Sequence, residues 1–209
     1  MDDDCGCHGD TERAASDPAY RRALIGVVGL NLGFGALELA GGFFADSQAL
    51  KADALDFLGD GSITLVGLFA LAWPPRARAG VALAQGIFLA IIGCAVLGWA
   101  IWRAFNAIPP EAGLMGGIGV AALLVNLAAA GLLARFREVG DAQARAIWLF
   151  SRNDALNNVA VIVAAGLVAW TQSAWPDVIV AAVISAVFLQ SAWEIVKNAR
   201  RELSAHQSA

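Results

Sequence analysis

Acidic side chains recur at helical spacing inside a stretch of the chain that is otherwise apolar. The segment ADALDFLGDG, residues 52–61, contains Asp53, Asp56 and Asp60. Spacings of three and four residues place these carboxylates on one face of a helix. An ionisable side chain at membrane depth costs roughly 2.5–3.5 kcal/mol on insertion scales, so it is by default a functional candidate. Carboxylate oxygens that share a helix face are suited to binding a divalent cation.

A second polar segment, FSRNDALNN at residues 150–158, has the same character. Its polar side chains share a helix face by the same spacing: Ser151, Asp154, Asn157 and Asn158. At a rise of about 1.5 Å per residue, Asp60 and Asp154 both lie near the middle of a bilayer core about 30 Å thick. The sequence therefore predicts that the two helices meet near the midplane, where their oxygen atoms form a divalent-cation site.

A third polar stripe is expected on the first helix, where Asn31 and Glu38 lie at helical spacing. These two residues and Asp53 are predicted to be auxiliary to the site. For Asn31 and Asn126 taken alone, a structural role is favoured, in which amide groups hydrogen-bond between helices. Arg152 is predicted to be the counter-charge of one carboxylate, or to extend its guanidinium to the membrane interface.

The elements that position these residues are predicted from hydropathy. Mean hydropathy is +0.63, and 15% of the residues are charged, compared with about 25% in soluble domains. Six apolar runs can each supply a spanning helix of about 20 residues. The runs lie near residues 21–45, 49–73, 79–105, 112–136, 143–170 and 176–199. The predicted fold class is all-α with six transmembrane helices, and the absence of a basic patch argues against nucleic-acid binding.

Prolines and basic residues give the predicted connections and orientation. Five prolines are expected between helices, since proline stops a helix: Pro74, Pro75, Pro109, Pro110 and Pro176. Arg and Lys cluster before the first run, in the second and fourth connections and after the last run, and are absent from 106–113 and 171–177. By the positive-inside rule both termini are cytoplasmic, in a bacterial-type inner membrane.

The chain is predicted to consist of one membrane domain with short tails. Residues 1–18 form an acidic, disordered tail, and residues 19–203 form the six-helix membrane domain. No C-terminal soluble domain is expected. Cysteine usage suggests no disulfide framework.

With these residues in place, the chain resembles the cation diffusion facilitator family of proton-coupled divalent-metal exporters. The resemblance covers residues 19–200, and its most specific part is SQALKADALDFLGD, which is similar to the family's second-helix signature. In that signature a His or Asp is followed four residues later by Asp, and Asp56 and Asp60 take these positions. In the fifth helix, Asp154 matches the second member of the family's pair and Asn158 matches an Asn one turn later. The resemblance implies metal binding by the three aspartates.

The chain departs from the family pattern at Phe150, which stands where the fifth-helix His or Asp belongs. The histidines, His8 and His206, both lie in the tails, so the membrane site contains carboxylates without imidazole. A fourth ligand is expected from water or from a neighbouring polar residue: Ser151, Asn157 or Asn158. Zinc is favoured as the transported metal, with cadmium, cobalt, manganese and iron as alternatives. Because the family's C-terminal cytosolic domain is expected to be missing, a homodimer would form through membrane helices.

The N-terminal segment CGCHGD offers a further set of metal ligands. Cys5, Cys7 and His8 are suited to capturing a soft metal transiently and delivering it to the membrane site. The alternative is a disordered tail without a metal-binding role.

These observations predict a secondary transporter that exports a divalent metal from the cytoplasm in exchange for protons. An enzyme is not expected, because no nucleophile–base pair is evident. The predicted partners are metal ions, protons and the lipid bilayer, with no permanently bound cofactor. One alternative is a proton-coupled exporter of another cation, such as an organic cation, for which Phe57 and Phe150 are the nearby aromatic residues. The other is a non-transporting metal sensor or assembly subunit.

Overall fold

The computed structural model describes residues 18–70, 73–106, 108–137 and 142–205, without the side chains of 142–153. These residues form six α-helices, which confirms the all-α prediction for the described part of the chain. The helices are α1 (Pro18–Phe44), α2 (Gln48–Ala70), α3 (Pro75–Phe105), α4 (Ala112–Arg137), α5 (Ala142–Thr171) and α6 (Trp175–Ala205).

Five of the six helices within the described ranges are long and apolar enough to cross a membrane. The exception is α2, because charged residues interrupt it: Lys51, Asp53, Asp56 and Asp60. The membrane-spanning prediction is therefore supported by length and composition for five helices, and for α2 it stays a prediction. The side on which the termini lie also stays a prediction.

The predicted helix boundaries need correction at two prolines. Helix α3 begins at Pro75 rather than near residue 79, and Pro176 lies in the first turn of α6. Proline is compatible with the first turn because the N–H groups there have no intrahelical partner. The expectation that both prolines lie between helices was therefore wrong. Helix α6 also continues past residue 199 to Ala205.

Helix α2 occupies the centre of the bundle. The most extensive packing is between α1 and α2, between α3 and α6, and between α4 and α5, and α2 contacts all five other helices. One buried cluster joins Leu55 of α2 to Leu89 of α3 and Phe188 of α6. The helix with the acidic face thus packs against every other helix. Large apolar side chains such as Phe44, Phe105 and Trp170 are more than 80% exposed, as lipid-facing residues would be.

The N-terminus of α2 is capped by a residue from the other end of the sequence. The buried carboxylate of Asp177, in the first turn of α6, accepts hydrogen bonds from Ser47 Oγ at 2.5 Å and from the backbone N–H groups of Gln48 at 2.8 Å and Ala49 at 3.0 Å. Ser47 Oγ in turn accepts a bond from the N–H of Leu50 at 3.1 Å. A carboxylate at a helix N-terminus satisfies N–H groups that have no intrahelical partner and opposes the positive end of the helix dipole. This cap fixes the start of α2, and hence the register of its acidic face.

An ion pair lies beside this cap. Asp46 has a positive φ of 53°, and its carboxylate lies 2.6 Å from Arg103 Nη1 and 3.8 Å from Lys51 Nζ. Arg103 also donates hydrogen bonds from Nη2 to the carbonyl oxygens of Asp46 at 3.3 Å and Ile108 at 2.8 Å. The connections after α1 and α3 are therefore joined through one guanidinium.

Candidate metal site in the bundle interior

The acidic face of α2 points into the bundle. Asp53 is 1% exposed, and Asp56 and Asp60 are partly buried. The helical spacing of these residues places them in successive turns of one face, as predicted. They line a small cavity together with Phe57 of the same helix. The other lining residues are Asn31 of α1, Asn126 of α4 and Asp154 of α5.

Asp154 of α5 faces the carboxylates of α2 across this cavity. Its carboxyl group interacts electrostatically with those of Asp56 and Asp60, and the Asp56 carboxyl also interacts with the side chain of Asn157. The meeting of α2 and α5 expected from the sequence is therefore observed. Within the described ranges, however, no three His, Cys, Asp or Glu side chains lie close enough together to hold a metal ion at once. Metal coordination by this cluster would need the carboxylates to move closer to one another.

A chain of hydrogen bonds between amide and carboxylate groups crosses the interior beside this cluster. Asn126 Nδ2 of α4 donates to Asn158 Oδ1 of α5 at 2.9 Å, and Asn158 Nδ2 donates to Asp53 Oδ2 of α2 at 2.5 Å. All three side chains are at most 3% exposed. Asn126 therefore hydrogen-bonds between helices, which is the structural role considered for it. Asn158, considered as a fourth ligand, is bonded at both ends of its amide group.

Glu38 of α1 lies beside Asp53. Its side chain is fully buried, and neither carboxyl oxygen has a hydrogen-bond partner in the described part of the chain. Its carboxyl group interacts electrostatically with that of Asp53 and, less strongly, with that of Asp56. Asn31 of the same helix lines the cavity. Both auxiliary residues of the first helix are thus close to the acidic face of α2.

Several predicted residues lie outside what the structure describes. They are Cys5, Cys7 and His8 of the N-terminal segment and the side chains of Phe150, Ser151 and Arg152 in α5. Their proposed roles stay predictions.

Sequence reasoning missed two features of the interior. Phe34 of α1 packs on Phe57 of the cavity wall, with ring centroids 5.2 Å apart. Only the tertiary structure brings these rings together, since they belong to different helices. The Asp177 cap was also missed, because an acidic residue in the first turn of α6 indicates an interaction with the N-terminus of α6 itself and not with that of α2.

Comparison with known proteins adds independent information. The family description "Cation efflux transmembrane domain" matches residues 24–204. The zinc transporter ZitB of Escherichia coli K12 is 32% identical over 208 residues, which cover 94% of this chain and 66% of that protein. ZitB of Pectobacterium atrosepticum is 30% identical over 182 residues, covering 81% of this chain and 57% of that protein. The chain thus spans just under two thirds of the length of the Escherichia coli relative.

Proposed function

Because the chain belongs to the cation efflux transmembrane-domain family, we propose that it exports divalent metal cations from the cytoplasm in exchange for protons. A transport function agrees with the named relatives, which are transporters rather than enzymes. We place the protein in the inner membrane of a bacterium, with both termini in the cytoplasm. The observation that carries the proposal is the meeting of Asp56, Asp60 and Asp154 at one cavity between α2 and α5.

The proposed metal site consists of these three carboxylates. A divalent cation loses its hydration when it enters a low-dielectric interior, and about two anionic ligands are needed to compensate for that loss. Asn157, whose side chain interacts with Asp56, is the proposed source of a neutral oxygen ligand. Asn158 is bonded to Asn126 and Asp53, so we assign it to positioning Asp53 rather than to binding metal.

Zinc is the proposed main substrate, because the relatives are named zinc transporters. The ligand set contains oxygen atoms only, and oxygen ligands also suit manganese and iron. Cadmium and cobalt are further candidates. The three residues Cys5, Cys7 and His8 are proposed to capture metal before it enters the bundle.

Protons and metal are proposed to compete for the same carboxylate oxygens. Metal binding requires deprotonated ligands, so a site that faces a proton-rich exterior would take up protons and release metal. Movement of α2 and α5 against the other helices would expose the site to each side in turn. We propose further that two copies of the chain associate through membrane helices.

One observation favours a second candidate, a proton-coupled exporter of an organic cation. Phe57 lines the cavity and packs on Phe34, and aromatic faces attract organic cations. The carboxylates would then neutralise the substrate's charge. Four carboxylates line the same cavity as Phe57, and this number favours a divalent metal, since a single positive charge needs fewer anions.

Transport by the purified protein in proteoliposomes separates these functions. The internal solution contains a pH indicator and a metal indicator, and Zn²⁺, Cd²⁺, Co²⁺, Mn²⁺, Fe²⁺ or tetraethylammonium, which does not cross a protein-free bilayer, is added outside. We expect metal uptake coupled to internal pH change for at least one divalent metal. An internal pH change with tetraethylammonium alone would favour the organic-cation exporter, and metal binding without flux would favour a sensor.

A further inference from the structure

Glu38 is a buried acid that is not among the ligands of the proposed metal site. It lies on α1, its side chain is 0% exposed, and neither carboxyl oxygen accepts a hydrogen bond from the described residues. An ionised carboxylate buried without a partner is costly, so such a group binds either a cation or a proton.

The groups that face Glu38 supply no positive charge in the described part of the chain. Helix α2 presents Asp53 and, with a weaker interaction, Asp56, both of which are acids. The next group beyond Asp53 is the neutral amide of Asn158 on α5, which is bonded to the amide of Asn126 on α4. Lys51 of α2 is engaged elsewhere, since its Nζ lies 3.8 Å from Asp46 and 4.7 Å from the centroid of the Phe43 ring.

The Glu38 and Asp53 carboxyl groups also differ in how they are held. Asp53 Oδ2 accepts a hydrogen bond from Asn158, which favours its ionised form. Glu38 receives no such bond. Two facing buried carboxyl groups do not both ionise, because like charges repel strongly in a low-dielectric interior. The group without donors is therefore the one that retains the proton.

We propose that Glu38, facing Asp53, is a proton-binding site of its own, separate from the metal-binding carboxylates. In the metal-free protein Glu38 carries a proton that it shares with Asp53. When a divalent cation binds beside Asp56, its positive charge lowers the proton affinity of the pair, and the proton leaves to solvent. The release of the proton on metal binding rests on the proposed function, whereas the presence of the proton on Glu38 in the metal-free protein does not. Linkage requires the reverse as well, so a proton on Glu38 weakens metal binding.

The first test compares the metal-free wild-type protein with two variants at neutral pH and involves no metal. Infrared spectroscopy detects the carbonyl stretch of a protonated carboxyl group, and labelling glutamate side chains with ¹³C shifts that band if it belongs to a glutamate. We expect a shifted band, which Glu38→Gln removes and Glu194→Gln, at an exposed position of α6, leaves in place. A spectrum without a protonated glutamate, as would follow from ion pairing with Arg152, overturns the proposal.

The second test counts protons released when Zn²⁺ binds, by calorimetry in buffers of different ionisation enthalpy. We expect Glu38→Gln to bind zinc while releasing about one proton fewer per metal ion than wild type, and Glu194→Gln to release the wild-type number. An unchanged proton count in Glu38→Gln overturns the coupling between the two sites. If wild-type protein binds no divalent metal, the proposed function fails, and the infrared measurement still decides whether Glu38 holds a proton.

Discussion

The Asp177 cap predicts a large loss of stability from one substitution far from the acidic cluster. Asp177→Ala removes the acceptor of three hydrogen bonds, from Ser47 Oγ and from the N–H groups of Gln48 and Ala49. Asp177 is 1% exposed, so water cannot easily replace the lost acceptor. The substitution should also loosen the start of α2, whose position sets the register of the acidic face.

The magnitude follows from the type of bond. Loss of an N-terminal cap costs about 1 kcal/mol, and a hydrogen bond to a charged group contributes about 1.5–3 kcal/mol. Because the three bonds share one carboxylate, their contributions are not additive. We expect Asp177→Ala to lower the free energy of unfolding by about 3–4 kcal/mol, the cost of leaving buried N–H groups without acceptors.

Glu111 provides a matched comparison, because it caps α4 in the same way at an exposed position. Its carboxylate accepts hydrogen bonds from the N–H groups of Gly113 at 3.2 Å and Leu114 at 2.5 Å. Water can replace this acceptor, so Glu111→Ala should cost clearly less than Asp177→Ala. The measurement is equilibrium unfolding in mixed micelles as denaturing detergent is added. Equal losses in the two variants would refute the reasoning that burial gives the Asp177 cap its strength.

Three further predictions concern orientation, the N-terminal segment and metal preference. Cysteines introduced at 106–113 and 171–175 should react with an impermeant reagent added outside cells, and cysteines at 76–80 should not; the opposite pattern would reverse the orientation. Deletion of residues 2–12 should leave metal flux in proteoliposomes intact at high metal concentration and reduce it at low concentration, and complete loss in a stable, inserted variant would make the segment part of the obligatory site. Phe150→His should shift transport toward zinc and cadmium over manganese, since imidazole suits the first two metals; unchanged relative rates would contradict placement of residue 150 at the site.

The sequence was sufficient to predict the helices and the meeting of α2 with α5. Helical periodicity is a local property, so the common face of Asp53, Asp56 and Asp60 follows from spacing alone. Their burial follows from the cost of charge in a membrane, which forces acidic residues toward the bundle interior. Asp154 was placed at the same depth by counting residues, and it lines the same cavity.

Individual hydrogen bonds between distant segments could not be predicted in this way. The hydrogen bonds from Asn126 to Asn158 and from Asn158 to Asp53 depend on how three helices rotate about their axes, which spacing within one helix does not determine. The same holds for the pairing of Asp177 with the start of α2, across 130 residues of sequence. The boundary at Pro75 was misjudged because proline stops a helix in its interior but is compatible with its first turn.

The most direct test of metal–proton exchange at the α2–α5 cavity is Zn²⁺-driven proton movement in proteoliposomes with single carboxylates removed. The variants are Asp60→Ala, Asp154→Ala and Asp56→Ala, with Glu194→Ala as an exposed control and with insertion verified for each. We expect Asp60→Ala and Asp154→Ala to abolish exchange, Asp56→Ala to abolish or strongly reduce it, and the control to behave as wild type, because removing one of three carboxylates leaves too little negative charge to offset metal desolvation. Wild-type exchange in both Asp60→Ala and Asp154→Ala would contradict this assignment and place the metal site elsewhere in the protein.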